Sequence, residues 1–279
     1  MTTYAITGAT GHLGRLAIES LLAKGVPASE IVGLGRQVDK IDDLGITTKQ
    51  VSYDDIDALT AAFTGADKLL FISGSELGQR VAQHTNIVEA AKKAGVGLVV
   101  YTSAPKADTT DMKLADEHLV TERLLADSGL PHVILRNSWY IENYNVQQAI
   151  EHGLFGAAGD GRIAGAPRVD YAEAAASVLV SDGHAGKVYE LGGESFTLAE
   201  LAAEISRQSG KPVTYTDLPE DKYVDLLVGV GLPRAAAEIF ADSDRAASQG
   251  ALDVPRTDLE ALIGRPATPL AEAVRAQLS

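Results

Sequence analysis

Short, continuous apolar runs punctuate the first half of the chain, and the stretches between them repeat their apolar residues at helical spacing. The runs "TYAIT" (3–7), "EIVGLGR" (30–36), "TTKQVSY" (47–53), "ADKLLFIS" (66–73), "VGLVVYTS" (96–103) and "PHVILRN" (131–137) predict six strands. Helices are predicted over 12–25, 54–65, 78–95 and 113–129. In the first of these, Leu13, Leu16, Ala17, Leu21 and Leu22 share one face and Gly25 ends the helix. Strands that are apolar throughout, rather than alternating, are buried on both faces and belong to a parallel sheet with helices on each side. The fold class is therefore α/β, a doubly wound parallel sheet with right-handed crossovers.

The alternation stops near residue 137. The segment 153–170, "GLFGAAGDGRIAGAPRVD", is glycine-rich and predicts loop with short strand pieces. A helix over 171–182, a strand over 186–193 and a helix over 197–210 follow. Thr197 with Glu200 three residues later forms a capping box for that last helix. The expected division is a dinucleotide-binding domain over 1–137 and a smaller α/β substrate-side portion over 138–279, with pieces of each free to interleave.

Composition narrows the classes. The chain has 279 residues, a net charge of −14 and no cysteine. Disulfides, thiolate nucleophiles and cysteine metal sites are excluded. With no basic run to neutralise phosphates, nucleic acid is not an expected partner. No apolar stretch reaches the roughly 18–20 residues of a membrane span, and "MTTYAITG" does not resemble a signal peptide, so a cytoplasmic protein is expected. His84, His132, His152 and His184 show no metal-ligand spacing, and no metal site is expected.

The chemistry gathers where the first strand turns into the first helix. Gly8-Ala9-Thr10-Gly11-His12-Leu13-Gly14 reads G-x-x-G-x-x-G. Glycine permits positive φ and close approach of backbone to a ligand, and the N–H groups opening the helix favour an anion. In a strand–turn–helix context this predicts a dinucleotide pyrophosphate site. An NAD site places Asp or Glu on the adenine ribose about 20 residues further on; here the second strand ends in Arg36, suited to a 2′-phosphate. NADPH is the expected cofactor.

"AITGATGHLG", Arg36, "LLFISGSELGQR", "VVYTSAPKADT", "LADEH", "LLADSGLPHVILRNSWYIENY" and "KVYELGGESFTLAELAAE" together resemble the atypical short-chain dehydrogenase/reductases of the NmrA-like group. Within that group the likeness is to bacterial NADPH:quinone oxidoreductases, with triphenylmethane reductases as near relatives. The resemblance implies a Rossmann-type domain with a smaller C-terminal domain and an active cleft between them. It implies that the turn from Gly8 to Gly14 holds the pyrophosphate and that Arg36 takes the 2′-phosphate. Ile72, Ser73, Gly74 and Ser75 would line the adenosine side, where Gly74 stands for a serine of the relatives. Asn137, Tyr140 and Asn143 would flank nicotinamide and substrate, Tyr140 stacking on a flat ring and Asn143 orienting a carbonyl oxygen. Ser103 would face the cleft, and His118 would bond the nicotinamide ribose.

Ordinary short-chain dehydrogenases protonate their substrate with a Tyr-x-x-x-Lys pair. None of the nine tyrosines here has a lysine four residues later, and Leu114 and His118 occupy the expected positions. An alkoxide leaving a ketone reduction needs an acid; a hydroquinone anion, its charge spread over an aromatic ring, does so much less. The absence fits direct, flavin-free hydride transfer from NADPH to a quinone or similar electron-poor aromatic, or to a triphenylmethane or azo dye. It also fits a second class, a redox sensor that binds NADP(H) without turnover. The family leaves a homodimer open. Arg36→Ala is expected to weaken NADPH binding much more than NADH binding; equal losses would remove Arg36 from the 2′-phosphate.

Overall fold

The computed structural model describes residues 1–76 and 78–279. The elements of the first half are β1 (Tyr4–Ile6), α1 (His12–Ala23), β2 (Ile31–Gly35), β3 (Thr47–Gln50), α2 (Ile56–Phe63), β4 (Lys68–Phe71), α3 (Arg80–Ala94), β5 (Leu98–Ser103), α4 (Lys113–Ser128) and β6 (His132–Asn137). There follow α5 (Val146–His152), β7 (Leu154–Gly156), α6 (Arg168–Val180), β8 (Val188–Leu191), α7 (Leu198–Ser209), β9 (Tyr215–Asp217), α8 (Glu220–Gly229), α9 (Arg234–Ser248), α10 (Thr257–Ile263) and α11 (Leu270–Leu278).

The main sheet has seven strands in the order β3-β2-β1-β4-β5-β6-β8. Its pairs β1–β2, β1–β4, β2–β3, β4–β5 and β5–β6 are parallel, with Ala5 opposite both Val32 and Leu69. Beyond β6, the N–H groups of Ile134 and Ser138 bond the carbonyls of Lys187 and Leu191, so β8 runs in the same direction. The doubly wound architecture anticipated from the apolar runs is thus present. Strand order reverses between β1 and β4, and ligands of open α/β sheets bind beyond the carboxyl ends of the strands at such a switch point. The Gly8–Gly14 turn lies there.

The chain forms two compact units. The first comprises residues 1–103, 117–136 and 168–189, and the second comprises 104–116, 137–167 and 190–279. In the first unit, Ile6, Leu34, Leu70, Phe71, Val100 and Tyr101 are buried in the sheet. Helix α1 turns Leu13, Ala17, Ile18 and Leu21 inward, whereas Leu16 and Leu22 remain half-buried. The face is rotated from the one anticipated because α1 packs against α6 as well as the sheet. Ala172, Ala174, Ala175 and Ala176 of α6 are buried, and their small side chains admit a close helix neighbour. Thus α6, although it follows residue 137, belongs with the sheet.

A buried ion pair sits in this unit. Arg136 Nε and Nη2 donate to Glu122 Oε1 and Oε2 at 2.9 and 2.7 Å, with both side chains at most 10% exposed. A bidentate fork of this kind fixes α4 against the end of β6, because either charge left alone would be buried uncompensated.

In the second unit, β7 and β9 form a two-stranded parallel sheet, Leu154 opposite Tyr215. Thr197 and Glu200 make both bonds of the capping box that opens α7. Tyr223, Val224, Ala237 and Ala241 form a small core where α8 and α9 meet. No described helix is long and apolar enough to cross a membrane.

Candidate functional site

The turn after β1 is held by its own backbone. Gly8 has φ +60°, the Gly11 N–H bonds the Gly8 carbonyl at 3.0 Å, and the Ala9 N–H bonds Leu34 of β2. No side chain caps Gly11, so the first N–H groups of α1 keep the open character of a helix start. A Cβ on Gly14 would lie 2.2 Å from the Gly8 carbonyl oxygen and 2.7 Å from Ala9 Cα. Only glycine lets the helix begin this close to the strand. Ala9 and Leu13 are buried, Thr10 is half-buried, and Gly11 and His12 are exposed.

The segment after β4 is pinned from within. Three successive amides each meet a side-chain acceptor: Ile72 N–H donates to Thr7 Oγ1 (3.0 Å), Ser73 N–H to Thr102 Oγ1 (3.0 Å) and Gly74 N–H to His84 Nε2 (2.9 Å). Tyr53 Oη donates to the Ile72 carbonyl and Arg80 Nε to the Gly74 carbonyl. His84 must accept at Nε2, so its proton lies on Nδ1, 2.7 Å from Thr121 Oγ1, which donates to the Glu117 carbonyl. Burial, reinforced by the charge of Arg80, pushes the His84 pKa down to about 3 and keeps it the neutral acceptor this geometry requires. Ser75 is exposed; the amides of 72–74, in contrast, are already committed to protein. His84, which has no metal-ligand spacing, supports this loop.

Two expected ligand contacts are redirected. Ser103, expected to face the cleft, is 5% exposed and donates to Glu122 Oε1 at 2.6 Å, joining the buried ion pair. His118, expected at the nicotinamide ribose, is equally buried and shares a 2.8 Å hydrogen bond from Nδ1 with Tyr101 Oη. Burial, with the charge of Arg80, holds His118 well below its ordinary pKa. Helix α4 turns this face toward β5, so both side chains hold the sheet.

Arg36 stands immediately after β2 and is 69% exposed. Its Nη1 lies 2.5 Å from Glu76 Oε1, a partner 40 residues away that the sequence did not reveal. Glu76 Oε2 accepts from Gln83 Nε2 at 3.0 Å, and the same nitrogen reaches Asp54 Oδ1 at 3.2 Å.

In the second unit, Asn137 ends β6 and donates from Nδ2 to Tyr140 Oη at 3.2 Å. Its Oδ1 is buried and has no hydrogen-bond partner among the described residues. Tyr140 pairs by backbone with Ala166 and is half-buried; Asn143, closing the short 3-10 turn Ile141–Asn143, is exposed. Trp139 is buried edge-on against Phe240, with ring centroids 6.2 Å apart.

The residues fit a bound dinucleotide in two respects. In the first unit a glycine cradle that a Cβ would fill opens onto an uncapped helix start; in the second, the buried Asn137 Oδ1 at the end of β6 lacks a donor among the described residues. A family described as NAD(P)H-binding matches residues 8–182. The chain belongs to this NAD(P)H-binding family. It is 54% identical to quinone oxidoreductase 2 of Escherichia coli (strain K12) over 277 residues, 97% of this chain and 96% of that one. A solved structure of the NADPH-dependent quinone oxidoreductase from Escherichia coli complexed with NADPH superposes with a TM-score of 0.95 at 52% identity, covering 99% of this chain and all of that one. Triphenylmethane reductase from Citrobacter sp., solved with NADP(H), matches with a TM-score of 0.92 at 37% identity, covering 99% of this chain and all of that one. The NmrA-like resemblance drawn from the motifs is in accord with these relatives, and so is NADP as cofactor.

Asp244, on α9, carries no local signal in the sequence. It is 3% exposed, and its Oδ2 accepts from the Ala157 N–H at 2.9 Å. Burial raises its carboxyl pKa to about 7; the Ala157 N–H opposes the shift and the charge of Asp217 adds to it. A carboxyl with a raised folded pKa holds its proton more tightly folded than unfolded. Its contribution therefore lowers stability as pH rises from about 4, the unfolded value, to about 7, and then levels off. Asp244→Asn, which keeps the acceptor, is expected to raise the thermal midpoint above that of the unmodified protein at pH 8, with little difference at pH 4. Parallel midpoint curves across that range would contradict the assignment.

Proposed function

We propose that the chain is an NADPH-dependent quinone oxidoreductase. The observation that carries this reading is the end-to-end agreement, in sequence and in fold, with an enzyme of that activity. Bound NADPH supplies a hydride, which with one proton from solvent converts a quinone to its hydroquinone. The chain's own residues position the two molecules. The N–H groups at the start of α1 and the Gly8–Gly14 turn take the pyrophosphate, Arg36 takes the 2′-phosphate, and Asn137 Oδ1 accepts from an amide donor of the nicotinamide. Tyr140 offers a ring on which a flat quinone stacks, and Asn143 offers an exposed amide for a carbonyl oxygen.

No residue is assigned as proton donor. Leu114 cannot donate, and His118 is neutral, buried and engaged with Tyr101. Positioning then carries the hydride step, because the hydroquinone anion is a weak enough base to form without an acid beside it and to be protonated by solvent afterwards. Two-electron transfer avoids the semiquinone radical, which gives the activity a protective role against quinones. A homodimer in the cytoplasm is the setting we propose for it.

Mixing the purified protein with NADPH and menadione, and following loss of reduced-nicotinamide absorbance, tests the reading. Saturable, menadione-dependent oxidation that prefers NADPH to NADH is expected. Tight NADPH binding without turnover across several quinones and dyes would overturn it in favour of a redox sensor.

A further inference from the structure

The strand order places β1 between β2 and β4, so the residues following β2 and β4 flank the turn that follows β1. Arg36 comes from the first flank and Glu76 from the second, and their charged groups meet at 2.5 Å. A dinucleotide site ordinarily carries either an acid, which accepts from the adenine-ribose hydroxyls of NADH, or a cation, which pairs with the 2′-phosphate of NADPH. This chain brings one of each together from different strands. Glu76 has an anchor independent of Arg36, since Gln83 Nε2 holds its second oxygen at 3.0 Å. When Arg36 turns to a phosphate, the carboxylate therefore stays in place beside it.

We infer that Glu76 is a second specificity-determining residue of the adenosine-ribose site, accepting a hydrogen bond from the ribose 2′-hydroxyl of NADH and opposing the 2′-phosphate of NADPH. The inference rests on the dinucleotide reading above. Arg36 alone would make the site strongly selective for NADPH. Glu76 competes for the guanidinium, repels the phosphate dianion and gives the unphosphorylated ribose an acceptor. The two residues together set a moderate preference rather than an absolute one. The pair is exposed, so its effect on phosphate binding weakens as salt rises.

Fluorescence titration of NADPH and of NADH without quinone, on the unmodified protein and on Glu76→Gln, is the test. Glutamine keeps the shape and removes the charge. The NADPH dissociation constant is expected to fall about 3- to 10-fold, the range for one exposed charge pair at contact, and the NADH constant to rise. The NADPH gain should shrink when salt is raised, and Arg36→Ala should move the NADPH-to-NADH ratio the opposite way. Equal shifts for both nucleotides, or none, would overturn the role of Glu76 while leaving the dinucleotide site intact. If the unmodified protein binds neither nucleotide, the dinucleotide reading falls and this inference falls with it.

Discussion

Everything at the nucleotide end of this molecule depends on how closely α1 begins to the end of β1. With 2.2 Å between the Gly8 carbonyl oxygen and the place a Gly14 Cβ would occupy, no other residue fits without moving the helix. That closeness leaves the first N–H groups of α1 at the switch point of the sheet, uncapped by any side chain. An anion placed there meets aligned dipoles that required no reorganisation. Farther along α1, Ala17, Ile18 and Leu21 face the interior, and the alanine-rich α6 packs against the helix.

The neighbouring segment after β4 is stiffened by different means. Its amides are satisfied by Thr7, Thr102 and His84, which come from β1's end, β5 and α3, so the loop is fastened to three elements at once. The histidine serves only while neutral, and its burial ensures that it is. The arrangement supplies a fixed floor beside the exposed Arg36–Glu76 pair, whose carboxylate Gln83 holds from its other oxygen. Rigid support beneath and polar adaptability at the rim are what a site needs to hold a large cofactor in one register.

The sheet was legible because buried parallel strands are written as uninterrupted apolar runs, and the glycine turn because its spacing sits between a strand and a helix. Thr197 and Glu200 were legible as a cap because both bonds are local. What stayed hidden was set by tertiary neighbours. Spacing along α4 does not show that Glu122 and His118 face β5, where they bond Ser103 and Tyr101. Glu76 could not be connected to Arg36 across 40 residues. Asp244 is one acidic residue among many until its desolvation is seen. The spacing along α1 places Leu13, Ala17 and Leu21 inward but cannot show that Ile18 replaces Leu16 and Leu22, because α6 packs on α1 from far along the chain.

The dependence of the nucleotide site on the α1–β1 approach is tested by the affinity of Gly14→Ala for NADPH, read by nucleotide fluorescence alongside the far-ultraviolet circular dichroism of the variant. A methyl group at this position pushes α1 away from Gly8 and disperses the N–H groups that receive the pyrophosphate. A native-like helix signal is expected, with NADPH binding reduced at least about 100-fold, the scale of losing several charge-assisted hydrogen bonds. Unchanged NADPH affinity in a folded Gly14→Ala protein would contradict that dependence.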